Sequence, residues 1–202
     1  MLTFSFCFCM EDKEQKIHNI LAFLHDLELL KSVTRHSWLS SGRQESVPEH
    51  SWRMAMMAIV LEDEFPNIDI RKVIEMCLIH DLGEVYEGDI PAFVKQAEHL
   101  TNEEQAVKQV VIPLSKHLQE KIIGLWKEHD EAQTQEAQLV KALDKLEVII
   151  QHNEADISTW AAEEYDFQLT YGRKFTDYHQ FIKKFREVVD KVTVEKIARE
   201  RK

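Results

Sequence analysis

Thr134-Gln-Glu-Ala-Gln-Leu-Val-Lys-Ala-Leu-Asp-Lys-Leu-Glu-Val-Ile-Ile-Gln-His-Asn153 is the stretch that decides the fold. Leu139, Leu143, Leu146 and Ile150 recur at 4-3-4 spacing, one face of a helix, and Thr134 stands where a helix N-cap belongs. The same period extends outward in both directions. Glu14 to Lys31 carries Ile17, Ile20, Leu21, Leu24 and Leu27 on one face. Ser46-Val-Pro-Glu49 is a capping box with proline in the first turn, opening a helix with His50, Met54, Met57 and Leu61 along one side. Pro66-Asn67 breaks that helix. Asp69 caps the next, whose apolar positions are Ile70, Val73, Ile74, Cys77 and Leu78, and which runs into His80-Asp81 and ends near Gly83 or soon after. Thr101-Asn-Glu-Glu104 reads as a second capping box for a helix to about Ile112, ended by Pro113. Ser115 caps a segment with Leu118, Ile122, Leu125 and Trp126, and a last helix carries Phe181, Phe185, Val188 and Val192. Val33 to Val47 reads as a loop, Glu87 to Pro91 as a turn, and Asp156 to Arg173 as holding a shorter helix around Ile157, Trp160 and Ala161. No strand pattern or repeat stands out. The expectation is an all-α, single-domain helical bundle: an N-terminal extension over 1–13, then one domain over 14–202, with its core at 14–155 and C-terminal helices at 156–202.

Composition supports this. Five glycines and four prolines in 202 residues are too few for an all-β sandwich or a disordered chain. A chain this long buries roughly 70% of its unfolded surface, so a core needs no staples. Formal net charge is −11, which disfavours binding to a nucleic-acid backbone. The three cysteines, Cys7, Cys9 and Cys77, form no paired framework and suit a reducing cytoplasm. The longest apolar run, Met54 to Leu61, is too short to span a bilayer. The apolar N-terminus lacks a basic leader and a cleavage-type site, and reads as an extension packed on the body or disordered.

His80-Asp81 closes an apolar stripe where a structural helix would place lysine or glycine. Histidine and carboxylate are ligands for divalent metals. The plainer reading is a helix-end histidine beside a solvated aspartate. His50 stands at the start of another helix, on its Met54 and Met57 side. Asp144 lies among Val140, Leu143 and Val148, so either a cation stands by it or it points outward between Lys141 and Lys145. Together His50, His80, Asp81 and Asp144 offer four ligands from three helices, enough to hold an ion in a bundle core with positions left open.

The order His … His-Asp … Asp resembles that of the HD-domain metal phosphohydrolases over about residues 14 to 155. Arg35-His-Ser-Trp38, Glu45-Ser-Val-Pro-Glu-His50, His80-Asp-Leu-Gly-Glu84, Gly88-Asp-Ile-Pro91, Leu125-Trp-Lys-Glu-His129 and Ala137 to Lys145 are similar to the YfbR-type 5′-deoxynucleotidases of that superfamily. The resemblance implies an HD-domain helical bundle, a homodimer, and one divalent ion (Mn, Co, Fe, Zn or Mg) on His50, His80, Asp81 and Asp144. It puts the essential glutamate at Glu84, a substrate-contacting aspartate at Asp89 and a phosphate-contacting arginine at Arg35. His36, Trp38, Ile90, Pro91 and Ala92 are the further substrate-side positions. In one branch a tryptophan directly follows the arginine and orients the phosphate; here His36 takes that place and Trp38 lies further on.

The expected reaction is hydrolysis of a (deoxy)ribonucleoside 5′-monophosphate to nucleoside and phosphate by a metal-activated water, with Glu84 or Asp89 as proton acceptor. Two alternatives stay open: an HD hydrolase of (p)ppGpp, a cyclic nucleotide or a dNTP, and a non-catalytic nucleotide-binding module. No nucleic-acid or membrane partner is expected.

Overall fold

A computed structural model of the chain describes the backbone of residues 2–90 and 97–200 and the side chains of 12–90 and 101–199. In chain order the elements are α1 (Leu2–Leu29), β1 (Thr34–Trp38), β2 (Gln44–Ser46), α2 (Val47–Val60), α3 (Ile70–Ile79), α4 (Glu84–Glu87), α5 (Ala97–Val110), α6 (Lys116–Glu131), α7 (Gln135–Glu154), α8 (Glu164–Thr170), α9 (Arg173–Thr176) and α10 (Gln180–Glu200). Short 3-10 turns cover Leu30–Ser32, Glu62–Glu64 and Ile157–Thr159. The fold is all-α apart from one hairpin. No described helix is long and apolar enough to cross a membrane.

Helix α7 is the axis, packed against α2, α3, α6, α9, α10 and β1. Its start is capped as the sequence predicts, Ala137 N donating to Thr134 Oγ1 at 3.2 Å. Leu139, Leu143 and Leu146 are fully buried beside Met54 and Val73; truncating one such leucine to alanine costs about 2–5 kcal/mol. The Asp69 cap also forms, Lys72 N donating to its Oδ1 at 3.1 Å.

Five expectations need correction. First, residues 33–47 contain strands: β1 and β2 pair antiparallel, Thr34 opposite Ser46 and Trp38 opposite Gln44, across a turn where Gly42 takes φ +82°. The strands hide because their buried positions are the polar Ser37, Glu45 and Ser46, which give no apolar alternation. Second, α1 begins at Leu2 rather than Glu14, and Ile17, Leu21 and Leu24 of its apolar stripe are largely exposed; Phe23, Leu27 and the following Leu30 make its contacts. Third, α5 starts before Thr101, so Thr101 is interior and Glu104 instead pairs with Lys108 and Lys127. Fourth, α3 ends at Ile79; the chain turns through His80 to Gly83 before the single-turn α4.

The last concerns α10. Its buried stripe is Ile182, Arg186, Val189, Thr193 and Ile197, while Val188 and Val192 are about half exposed. Phe181 and Phe185 pack only at the edge. Arg186 causes the rotation, since an apolar-stripe reading passes over a buried arginine. Its Nε donates to Asp190 Oδ1 at 2.7 Å, and its terminal nitrogens donate to the carbonyls of Tyr171 and Gln168 at 2.5 and 2.7 Å. This satisfied guanidinium ties α10 to α8 and to the bend after it. At that bend Gly172 takes φ +68°, and a Cβ there would stand 2.5 Å from Lys145 Cβ.

The capping box of α2 yields a stability prediction. Ser46 N and Oγ each lie 2.8 Å from Glu49 Oε2, and Arg43 pairs with the same carboxylate. The Arg43 hydrogen bond, then those of Ser46, hold the Glu49 carboxyl down to about 2 against the cost of partial burial. A depressed folded-state value stabilises above the unfolded value of about 4.3 and loses that contribution as pH falls towards 2. Glu49→Gln is expected to cost about 1 kcal/mol at pH 7, and chemical denaturation should show the gap to wild type closing between about pH 4.5 and pH 2.

Candidate active site

Three elements deliver imidazole and carboxylate groups to one point. His50 leaves the first turn of α2, His80 the C-terminal end of α3, and Asp144 the middle of α7. Their ligand atoms lie within 4.8 Å of one another, and the two rings are 5.4 Å apart. His80 Nδ1 is 2.9 Å from the Cys77 carbonyl, which only accepts, so the proton sits on Nδ1. His50 Nδ1 is 2.5 Å from Glu147 Oε2 and is fixed the same way. Both Nε2 atoms are therefore aimed inward, buried and without a hydrogen-bond partner. Bare imidazole nitrogens beside a carboxylate fit a divalent ion of the N/O-binding kind.

Asp81 stands at the edge of this group. Its Oδ2 is 3.1 Å from His80 Nε2 and accepts from Arg35 Nη1 at 3.0 Å. Burial works against the Asp81 charge, but His80, Arg35 and His50 outweigh it and hold the carboxyl far below its usual range. Asp144 behaves alike, with Lys145 Nζ donating to its Oδ2 at 2.7 Å as the leading favourable partner. Burial and Arg35 lower the proton affinity of His50, yet Glu147 and Asp144 raise it, so these carboxylates favour positive charge at the ring, whether a proton or a metal ion. For Arg35, burial is overcome by Asp81, Asp89, Asp144 and Glu84, and the guanidinium stays cationic.

A cavity of about 170 Å³ opens on this cluster, larger than a single water needs. Arg35 and His36 of β1 line it, with Glu84, Asp89 and Ile90 from the segment after His80-Asp81. Glu84 is buried and opens α4, while Gly88 at φ +84° turns the chain into Asp89. His36 Nε2 lies 3.2 Å from Glu164 Oε1, which also receives His152 Nε2 at 3.0 Å. Trp38 is not among the lining residues; its carbonyl accepts from Gln151. Pro91, Ala92 and the side chains of Cys7 and Cys9 lie outside the described residues. Trp52 is 63% exposed, whereas Trp126 is buried against the cavity.

The profile of the HD domain matches residues 27–186. The chain belongs to the HD-domain family. Within it, the chain is 37% identical over 163 residues to the 5′-deoxynucleotidase HDDC2 of Bos taurus, covering 78% of each chain. It is 34% identical to the 5′-deoxynucleotidase hdd1 of Schizosaccharomyces pombe, covering 72% of this chain and 81% of that one. Among solved structures, the PH0347 protein of Pyrococcus horikoshii superposes with a TM-score of 0.64 at 26% identity, over 88% of this chain and 98% of that one. A "predicted metal-dependent phosphohydrolase" of Magnetospirillum magnetotacticum shares the fold with a TM-score of 0.75 at 24% identity, over 92% and 97%.

Sequence reading of this HD domain missed Glu45, His129 and Glu147. Glu147 follows Asp144 by three positions on the same side of α7, a visible signal masked by the apolar period around it. Glu45, His50 and Glu147 form a second close group, in which burial, then Glu147, push the Glu45 carboxyl up to about 7. Arg35 and Arg53 flank that pair at 3.6 and 3.8 Å, so its charge is already countered. His129 lies edge-on to His80 at 5.2 Å, and burial, then Lys141 and His80, hold it well below the usual histidine value. In calorimetric titrations with Mn2+, Asp144→Ala is expected to abolish binding and Glu147→Gln to weaken it about 10–100-fold. Undiminished binding in both variants would show that the ion sits elsewhere.

Proposed function

We propose that this HD-domain hydrolase acts on nucleoside 5′-monophosphates, deoxyribonucleotides among them, releasing nucleoside and inorganic phosphate. One observation carries the reading. Two inward-facing imidazoles with bare Nε2 atoms, a guanidinium and the buried Glu84 share one cavity, in a chain more than a third identical to a curated 5′-deoxynucleotidase.

His50, His80, Asp81 and Asp144 would hold one divalent ion, of the Mn, Co, Fe, Zn or Mg kind, which supplies a Lewis acid to the phosphoryl group. Arg35, fixed between Asp81 and Glu45, presents charge to the phosphoryl oxygens that the surrounding carboxylates would otherwise repel. Water adds to phosphorus as the P–O5′ bond breaks. Its proton passes to Glu84 or Asp89, and a proton returns to the departing O5′ of the nucleoside. Ile90 and His36 bound the space left for the sugar and base.

A homodimer in the cytoplasm completes the proposal. The apolar residues exposed on α1 (Ile17, Leu21, Leu24) and α2 (Trp52, Met56, Ile59) support a covering partner, and the lone buried Cys77 among the described residues suits a reducing compartment.

The test is phosphate release from a panel of ribo- and deoxynucleoside 5′-monophosphates, each with several divalent metals. Metal-dependent release is expected from wild type. Glu84→Ala should keep Mn2+ binding and lose about 10²-fold or more in kcat. No phosphate release from any monophosphate with any metal, or a Glu84→Ala rate equal to wild type, would refute this assignment.

A further inference from the structure

Cations around the cavity are Arg35, Lys141 and Lys145 among the described residues, and two of them are engaged. Arg35 donates to Asp81 and faces Glu45. Lys145 donates to Asp144 Oδ2 and to Tyr171 Oη at 2.7 and 3.0 Å. Burial works against the Lys145 charge, yet Asp144 and Tyr171 hold its proton affinity above the ordinary value. Lys141 pairs with no carboxylate among the described residues, although it is half-buried. Burial lowers its proton affinity and Lys145 adds to that, while Asp144, Asp130 and Asp81 work the other way without an ion pair forming.

Its position is set by the helix. Lys141, Asp144, Lys145, Val148 and His152 all line the cavity at i, i+3, i+4, i+7 and i+11, one stripe of α7. Side chains three and four apart are neighbours, about 5–6 Å between Cβ atoms. The two lysines therefore bracket Asp144, and only Lys145 is neutralised by it. A half-buried ammonium with no ion-pair partner among the described residues, one turn from a ligand of the candidate ion, is a site for an anion in a chain of net charge −11.

We propose that Lys141 is a substrate-binding residue that contacts the phosphoryl oxygens of the nucleotide, one helical turn from Lys145 and supplementing Arg35. This rests on the reading that a nucleoside 5′-monophosphate binds over His50, His80 and Asp144. Lysine acts there as a mobile point charge, while Arg35 supplies the planar, directional contact.

The experiment titrates inorganic phosphate into Mn2+-loaded wild type, Lys141→Met and Lys141→Arg by calorimetry, with Mn2+ affinity and thermal unfolding measured on each. Lys141→Met is expected to weaken phosphate binding roughly tenfold or more and to raise KM for the monophosphate in proportion. Its Mn2+ affinity and unfolding temperature should match wild type, and Lys141→Arg should recover most of the phosphate affinity. A merely solvated lysine would leave phosphate affinity within about twofold in Lys141→Met, and that result overturns the proposal. So does a wild type that binds Mn2+ but no phosphate. Should Lys141→Met not fold, Lys141→Gln is read in the same titration. If wild type binds phosphate through Lys141 yet cleaves no monophosphate, the nucleotidase reading fails and the anion site stands.

Discussion

His50 is held at Nδ1 by one carboxylate of α7 and faced at Nε2 by another. Glu147 takes Nδ1 at 2.5 Å, and Asp144 stands 3.4 Å from Nε2, one helical turn apart on α7. The ring is fully buried, so its orientation is settled by these two groups and by the packing of α2 on α7. A buried imidazole between two acids is costly unless each contact is made. That requirement locks α2 in rotation about its own axis. The capping box at Ser46 and Glu49 then fixes where α2 begins, hence where His50 stands. His80 follows from α3, docked on α2 and α7 through Val73, Met76 and Cys77, with the Cys77 carbonyl setting its tautomer.

Around this centre the charges are arranged in layers. Carboxylates dominate the cavity, and several near the centre have a cation beside them: Arg35 by Asp81, Lys145 by Asp144, Arg35 and Arg53 by the Glu45–Glu147 pair. An anionic ester enters such a field only where positive charge remains unspent. That places the burden on the proposed metal ion and on Lys141, with Arg35 shared between Asp81 and Glu45. The far wall depends on Arg186, whose bonds to the Tyr171 and Gln168 carbonyls hold the bend at Gly172 against Lys145.

Much of this was legible in the chain. The leucine period of Thr134 to Asn153, the caps at Ser46, Asp69 and Thr134, and the breaks at Pro66 and Pro113 mark helices by local rules, since backbone caps and apolar stripes act within a few residues. Ligand-type side chains interrupting apolar faces marked out His50, His80, Asp81 and Asp144 as candidates, of which the structure draws His50, His80 and Asp144 into one group. Glu45 and Glu147 did not, because acidic residues are ordinary on helix surfaces and strands, and nothing local marks them as buried. The α10 stripe was misread for the related reason that Arg186 looks solvated in sequence and is internal in fact.

Sequence by itself determined the helical class, the starts of α2, α3, α6 and α7 and the residue types offered as candidate ligands, because these follow from short-range periodicity and residue chemistry. Tertiary structure alone decided which face of α1 and α10 is covered, that a polar hairpin carries Arg35 to the cavity, and which charges are already paired. Those outcomes turn on desolvation and on partners distant along the chain, about which a local pattern holds no information.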